Sequence, residues 1–163
     1  MREEEIQEQM FRAMFRLKRV NVEVLLSDVS CGELKVLKAL RHHLDSGNSD
    51  EGVYVSRIAE EIHAVVPAVS RLLKGMESKG YIVRYADTND RRSIRVQLTD
   101  CGVQKEQECV RILKNYSARV IRRMGDEQMF EFLNLFNRMV DVMQEELNET
   151  EKGDGICSKF SDI

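Results

Sequence analysis

Three features of the 163-residue chain predict a mainly α-helical fold that carries one small β-hairpin. Apolar residues recur at helical spacing through most of the chain, and turn formers separate the periodic segments. Two short helical segments lie between residues 56 and 79, and Pro67 stands in the first turn of the second. Alternating apolar residues then flank an Asp- and Asn-rich turn at residues 87–90. This order predicts a winged helix-turn-helix.

The remaining elements follow from periodicity and capping signals. Helical spacing predicts a first helix over residues 4–26, and Ser30 with Glu33 has the spacing of a capping box that opens a second helix. Residues 53–55 are long enough only to add an edge to the hairpin, whose strands are 81–86 and 93–98. A long helix after the hairpin and a last helix after Gly125 complete a set of six.

Two of the predicted helices are too apolar on one face to be covered by a small winged-helix core. We therefore predict a helical dimerisation region over residues 1–28 and 104–150, a DNA-binding domain over 29–103, and a flexible tail over 151–163. A monomer whose terminal helices pack on one another is the alternative. The predicted dimerisation residues are Ile6, Met10, Met14, Phe132, Phe136, Met139, Val140 and Met143.

Charge is distributed unevenly along a chain whose formal net charge is −3. Residues 67–95 hold seven basic and three acidic side chains, whereas residues 126–163 hold ten acidic and three basic ones. Screening limits electrostatic reach to about 8 Å at physiological salt, so the local excess decides contact with phosphate. No apolar run reaches the roughly 18 residues that span a bilayer, and the four cysteines form no C-x-x-C pair. These features predict a cytoplasmic protein with no membrane partner and no cofactor.

The second helix of the predicted helix-turn-helix has an outer face suited to the major groove. Arg71 can pair with guanine through two hydrogen bonds, Ser70 can meet a phosphate or a base edge, and Lys74 fits a phosphate. Pro67 and Ala68 are small enough to let the helix approach. An ordinary surface helix with solvated charges is the alternative for this segment alone.

The hairpin turn adds a second cationic projection. Arg91 or Arg92 can enter a narrow minor groove, where the potential is most negative. A solvated turn with an Asp90–Arg92 ion pair is the alternative, but it does not explain why a basic hairpin follows a basic helix. The two together predict double-stranded DNA as the partner.

These segments resemble the multiple-antibiotic-resistance regulator (MarR) family of bacterial transcription factors. The family's wing pattern D-x-R-x-x-x-V-x-L-T is present in full at residues 90–99, and residues 68–82 look like its recognition helix. The resemblance covers roughly residues 5–148. It implies a dimeric regulator, most often a repressor, in which Ser70, Arg71 and Lys74 contact the major groove. Arg92 would contact the minor groove, oriented by Asp90.

A twofold dimer should bind a pseudo-palindromic operator with half-sites about 10 bp apart. By the resemblance, the signal sensed would be a small aromatic compound, an oxidant or zinc. Oxidant-sensing members carry a cysteine in the first helix, which this chain lacks. Cys31 lies at a predicted helix N-terminus, where a thiolate is stabilised, but a buried, unreactive thiol is the favoured interpretation. Candidate metal ligands are Glu23, Cys31, His42 and His43, although the adjacent histidines should point to different helix faces.

Two functions of other classes remain as alternatives. The basic stripe could meet an acidic protein instead of DNA, which would make the domain a protein-interaction module. An enzyme is the less favoured alternative, because the chain has no Gly-rich phosphate loop, no H-E-x-x-H and no supported Ser/His/Asp arrangement. We assign no catalytic residue and no metal site.

Overall fold

The computed structural model describes residues 2–47, 52–88, 90 and 93–153. The predicted mainly α-helical winged fold is confirmed over these ranges. The helices are α1 (Arg2–Lys18), α2 (Cys31–Asp45), α3 (Val55–Glu61), α4 (Val66–Ser78), α5 (Asp100–Met124) and α6 (Asp126–Gly153). None of the described helices is long and apolar enough to cross a membrane.

Three short strands form an antiparallel sheet. They are β1 (Val53–Tyr54), β2 (Ile82–Ala86) and β3 (Ile94–Leu98), in the order β1-β3-β2. Val53 pairs with Val96, and Ile82 pairs with Leu98. The prediction that residues 53–55 add an edge to the hairpin is therefore confirmed for the first two of them.

One apolar core holds α2, α3, α4, the sheet and the start of α5 together. Leu37 from α2, Ile58 from α3, Leu73 from α4 and Val96 from β3 are fully buried in it. Cys109 brings α5 into the same cluster. Because α4 and β3 share this core, the helix and the hairpin are built on one rigid base.

The first helix is shorter than predicted. It ends at Lys18, and a separate 3-10 helix follows at Val22–Leu25, where the side chain of Asn21 accepts a hydrogen bond from the Glu23 amide at 3.0 Å. At the other end of the chain, α6 continues to Gly153, which is three residues into the predicted tail. Residues 154–163 of that tail lie outside the described residues.

The chain divides into two compact units, residues 1–115 and residues 116–163. The first unit contains the sheet and the helices up to the first half of α5, and the second contains α6. The predicted division grouped residues 1–28 with 104–150 as a dimerisation region. That grouping concerns an assembled dimer, and it stays a prediction.

Candidate nucleic-acid interface

The turn that precedes α4 fixes where this helix begins. His63 adopts a φ of 53°, and the amide of Ala64 donates to the carbonyl of Ala59 at 2.9 Å. Histidine is among the residues that tolerate a positive φ better than most. Pro67 lies in the first turn of α4, where its missing N–H costs no helical hydrogen bond.

The two faces of α4 are clearly separated. Val69, Leu73 and Met76 are buried in the core and anchor the helix. Of the residues predicted to meet DNA, Pro67, Arg71 and Lys74 are exposed, whereas Ala68 and Ser70 are half-buried. The predicted outer face is therefore present, with its two cations at its centre and its small residues at the sides.

Arg71 and Lys74 carry charges that the fold does not use. Neither side chain has an ion-pair or hydrogen-bond partner within the part of the chain that the structure describes. Both side chains are long and flexible, and each ends in a cationic group that donates hydrogen bonds. An exposed helix face with two such cations can bind an anionic surface without first breaking an internal contact.

Three neighbouring cations differ in this respect, because each is held by a carboxylate of the same fold. Lys79 donates to Glu33 at 2.7 Å, and Arg84 contacts Glu77 at 2.5 Å. Arg95 pairs with Asp87. The charge count over residues 67–95 therefore overstates the number of cations that are free to meet a phosphate.

The base of the wing is built around a buried carboxylate that the sequence analysis did not single out. Asp87 is only 3% exposed, and it accepts hydrogen bonds from Arg95 and from the Tyr54 hydroxyl, the latter at 2.9 Å. The Arg95 guanidinium lies 4.3 Å from the centre of the Tyr54 ring and donates to its hydroxyl at 2.8 Å. The hydrogen bond to Asp87 raises the pKa of Tyr54.

Hydrogen bonds of Asp87 also reach the turn at the tip of the hairpin. Asp87 accepts a hydrogen bond from the Asp90 amide at 2.9 Å, and its own amide donates to the carbonyl of Ser93 at 2.9 Å. The Ser93 hydroxyl in turn donates to the carboxylate of Asp90 at 2.7 Å. Predicted wing residues Arg91 and Arg92 lie outside the described residues, so their placement and the proposed Asp90–Arg92 contact stay predictions.

A second polar cluster fixes the exit of α4 into the hairpin. The Tyr81 hydroxyl donates to Asp28, which also pairs with Lys105 of α5 at 3.0 Å. The hydrogen bond from Tyr81 holds the pKa of Asp28 at about 2, while burial raises the pKa of Tyr81 to about 12. A Cβ on Gly102 would overlap the carbonyl oxygen of Tyr81, so only glycine allows α5 to pass this close.

Cys31 lies at the N-terminus of α2, yet its surroundings favour the unreactive thiol over the thiolate. Burial raises the pKa of this thiol, and the Glu23 carboxylate, which accepts a hydrogen bond from the Cys31 amide at 2.7 Å, raises it further. A thiol that stays protonated reacts slowly with oxidants, because the thiolate is the nucleophile. The geometry around Cys31 therefore does not favour a redox sensor.

The two adjacent histidines, His42 and His43, lie beside the same carboxylate, that of Glu61. His43 contacts one oxygen of Glu61 at 2.9 Å, and His42 lies 3.5 Å from the other. Both rings therefore flank one carboxylate of α3. Among the described residues, however, no group of three or more His, Cys, Asp or Glu is arranged to hold a metal ion.

The predicted dimerisation residues lie on two helices that leave apolar surface uncovered. In α1, which buries no residue, Ile6 and Met14 are exposed and Met10 is half-buried. In α6, Phe132 and Phe136 lie with their ring centres 5.6 Å apart. Phe132, Val140 and Met143 are exposed, and Phe136 and Met139 are half-buried.

A protein-family model matches the part of the chain that contains α4 and the hairpin turn. Residues 32–94 match the model of the MarR family. This range contains α4 and the hairpin turn. A curated relative, the HTH-type transcriptional repressor MdtR of Bacillus subtilis strain 168, is 28% identical over 128 residues, which are 78% of each chain.

Comparison with solved structures finds chains that have a similar fold. The crystal structure of the YusO protein from Bacillus subtilis is 26% identical, with a TM-score of 0.65, over 85% of this chain and 94% of that one. The DNA complex of MepR from Staphylococcus aureus is 21% identical, with a TM-score of 0.59, over 83% and 98%. MepR bound to ethidium bromide is similar at a TM-score of 0.54, with 21% identity over 83% and 95%. At these identities the MepR structures show the fold.

Proposed function

Because this chain belongs to the MarR family, we propose that it is a sequence-specific, dimeric, DNA-binding transcriptional regulator. The observation that carries the proposal is the outer face of α4. There, Arg71 and Lys74 are exposed and have no internal partner in the described part of the chain, while neighbouring cations are paired. A regulator of this kind would act in the cytoplasm, where the chromosome lies.

On DNA, α4 would lie in the major groove. Arg71 would pair with guanine O6 and N7, Lys74 would bind a phosphate, and Ser70 would meet a phosphate or a base edge. Pro67 and Ala68 would let the helix approach the bases without steric conflict. Helix–groove contact of this kind is the usual docking of a helix-turn-helix.

The wing would make the second contact. Arg91 and Arg92 follow Asp90, whose amide is held by the buried carboxylate of Asp87. An arginine at this tip would enter the minor groove, and Asp90 would orient it. The wing base of Tyr54, Asp87 and Arg95 supports this role by giving the hairpin a fixed root.

The dimer would be formed through the apolar faces of α1 and α6, each packing against a second copy of the chain. Exposed apolar side chains such as Phe132 and Val140 would otherwise remain in water at a cost of about 25 cal/mol per Å². An isologous twofold contact covers the same patch on both subunits. Sedimentation should show a dimer, and replacing Phe132 and Val140 together by Glu should give monomers.

We propose further that binding represses transcription and that a small aromatic effector releases the DNA. The names of the relatives support both parts, since MdtR is a repressor and MepR has been crystallised with the aromatic cation ethidium. Phenolic compounds and planar cations should be screened for a rise in the melting temperature. Compounds that raise it should then lower affinity for DNA.

Selection from random double-stranded DNA tests the central proposal. We expect a pseudo-palindromic consensus whose half-sites lie about 10 bp apart, because a twofold dimer presents its two α4 helices one helical turn apart. Binding should weaken steeply with salt. Absence of any enriched sequence, or binding that salt does not alter, would refute the proposal and favour the protein-interaction alternative.

A further inference from the structure

Two exposed apolar residues at the start of α4, Val65 and Val66, are not among the assigned DNA contacts. Val65 precedes the helix and is 69% exposed, and Val66 opens it and is 45% exposed. Pro67 and Ala68 follow them directly. Four apolar residues in succession therefore occupy the end of the helix that a helix-turn-helix directs at base edges.

This arrangement gives up features that ordinarily stabilise a helix N-terminus. The N-cap residue usually offers a side-chain oxygen to the first amides, and Val65 makes no such hydrogen bond. The first turn also contains no acidic residue, although one would be favourable there. The start of α4 therefore lacks two of the usual N-terminal stabilising features and keeps one, the proline of its first turn.

An acidic or hydroxylic residue at this end would stabilise an isolated helix, but it would not match an apolar group on a base edge. The major groove presents one apolar group, the C5-methyl of thymine. All other groups on the base edges there are hydrogen-bond donors or acceptors. Two exposed valines offer no hydrogen bond to those groups, so thymine is the base that they fit.

We propose that Val65 and Val66 are specificity-determining residues that recognise thymine by contact with its 5-methyl group. This inference rests on the proposed function, and it adds the identity of a base that Arg71 and Lys74 cannot select.

Deoxyuridine substitution in the selected operator isolates this contact, because deoxyuridine lacks only the methyl group of thymidine. Each thymine of one half-site is replaced in turn, and affinity is measured by fluorescence anisotropy. For the unmodified protein, one or two positions should lower the affinity about fourfold, the size expected for one buried methyl. Val65→Ala or Val66→Ala should abolish this sensitivity at one of those positions.

Val83→Ala is the matched control. Val83 lies in β2 and is 46% exposed, close to the exposure of Val66, but it is not part of α4. This variant should keep the full sensitivity to deoxyuridine. Circular dichroism should show only small changes in melting temperature for all three variants, because each valine is exposed and none belongs to the buried core.

The outcomes separate this inference from the function on which it rests. Operator binding that no deoxyuridine position alters would overturn the thymine contact and leave the DNA-binding proposal intact. Equal sensitivity in the α4 variants and the unmodified protein would also overturn it. If selection enriches no DNA sequence, both proposals fail together.

Discussion

The fold uses the charges of two groups of cations differently. One group, on the outer face of α4, is Arg71 and Lys74; the other, which follows in the chain, is Lys79, Arg84 and Arg95. The first two are exposed and have no internal partner in the described part of the protein. Each of the other three is paired with a carboxylate. The comparison separates cations that hold the interface in shape from cations that are available to bind.

The largest expected effect concerns the unpaired arginine. Arg71→Ala should weaken operator binding by about 2–6 kcal/mol in the dimer, since each bidentate arginine–guanine contact is worth about 1–3 kcal/mol. The free energy of unfolding should change by less than about 0.5 kcal/mol, because the side chain has no internal contact to lose. Titration of labelled operator and urea unfolding measure the two quantities. A variant that loses stability but keeps its affinity for the operator would contradict the assignment of Arg71 to DNA binding.

The buried pair should show the opposite pattern. Asp87→Asn should lower the free energy of unfolding by about 3 kcal/mol, because it removes the carboxylate charge that pairs with the largely buried guanidinium of Arg95. Glu77→Gln is the matched control, since its pair with Arg84 is more exposed and should contribute at most about 1 kcal/mol. Chemical denaturation compares the two variants, and equal losses would contradict the assigned role of Asp87.

A smaller effect isolates one hydroxyl of the wing base. Tyr54→Phe keeps the ring under Arg95 but removes the hydrogen bonds to Asp87 and Arg95, so it should cost about 1 kcal/mol of stability. Tyr85 pairs with Arg95 across the sheet from the other side, and its hydroxyl has no hydrogen-bond partner among the described residues. Tyr85→Phe should therefore be nearly neutral. A larger loss of stability for Tyr85→Phe than for Tyr54→Phe would show that the wing base is assigned to the wrong side of β3.

The smallest expected effect is a dependence on acid. The pKa of Asp28 is about 2 in the folded protein and about 3.8 when free, so its contribution is present above about pH 4 and is lost as the pH falls through about 2. Because Asp28 is exposed, the contribution should not exceed about 1 kcal/mol. Urea unfolding of the unmodified protein and Asp28→Asn should show a stability difference that shrinks from pH 4 to pH 2. A difference that stays constant over this range would contradict the assignment.

Sequence periodicity predicted the fold because most signals were local. The capping box at Ser30 and Glu33, for example, depends on two residues three positions apart, and it opens α2 as predicted. The end of α1 was missed for a local reason too, since a single side-chain cap at Asn21 starts a new 3-10 helix. Apolar spacing alone continues through such a break and cannot reveal it.

The state of the charges could not be predicted, because it depends on contacts between distant segments. Glu33 lies 46 residues from the lysine that it binds, and Tyr54 lies 33 residues from Asp87. Burial alone would raise the pKa of Glu33, but the hydrogen bonds from Lys79 and Ser30 outweigh it and keep this pKa low. At Cys31 the helix N-terminus was visible in the sequence, whereas the neighbouring Glu23 carboxylate, which raises the pKa of the thiol, was not.

The salt dependence of operator binding tests the division between unpaired and paired cations most directly. Each phosphate contact changes the slope of log K against log salt by about 0.9. Lys74→Ala should therefore reduce the magnitude of the slope by about 1.8 in the dimer, whereas Arg84→Ala, which removes a cation already paired with Glu77, should leave it unchanged. Equal slopes for Lys74→Ala and the unmodified protein, with a reduced slope for Arg84→Ala, would contradict the assigned interface.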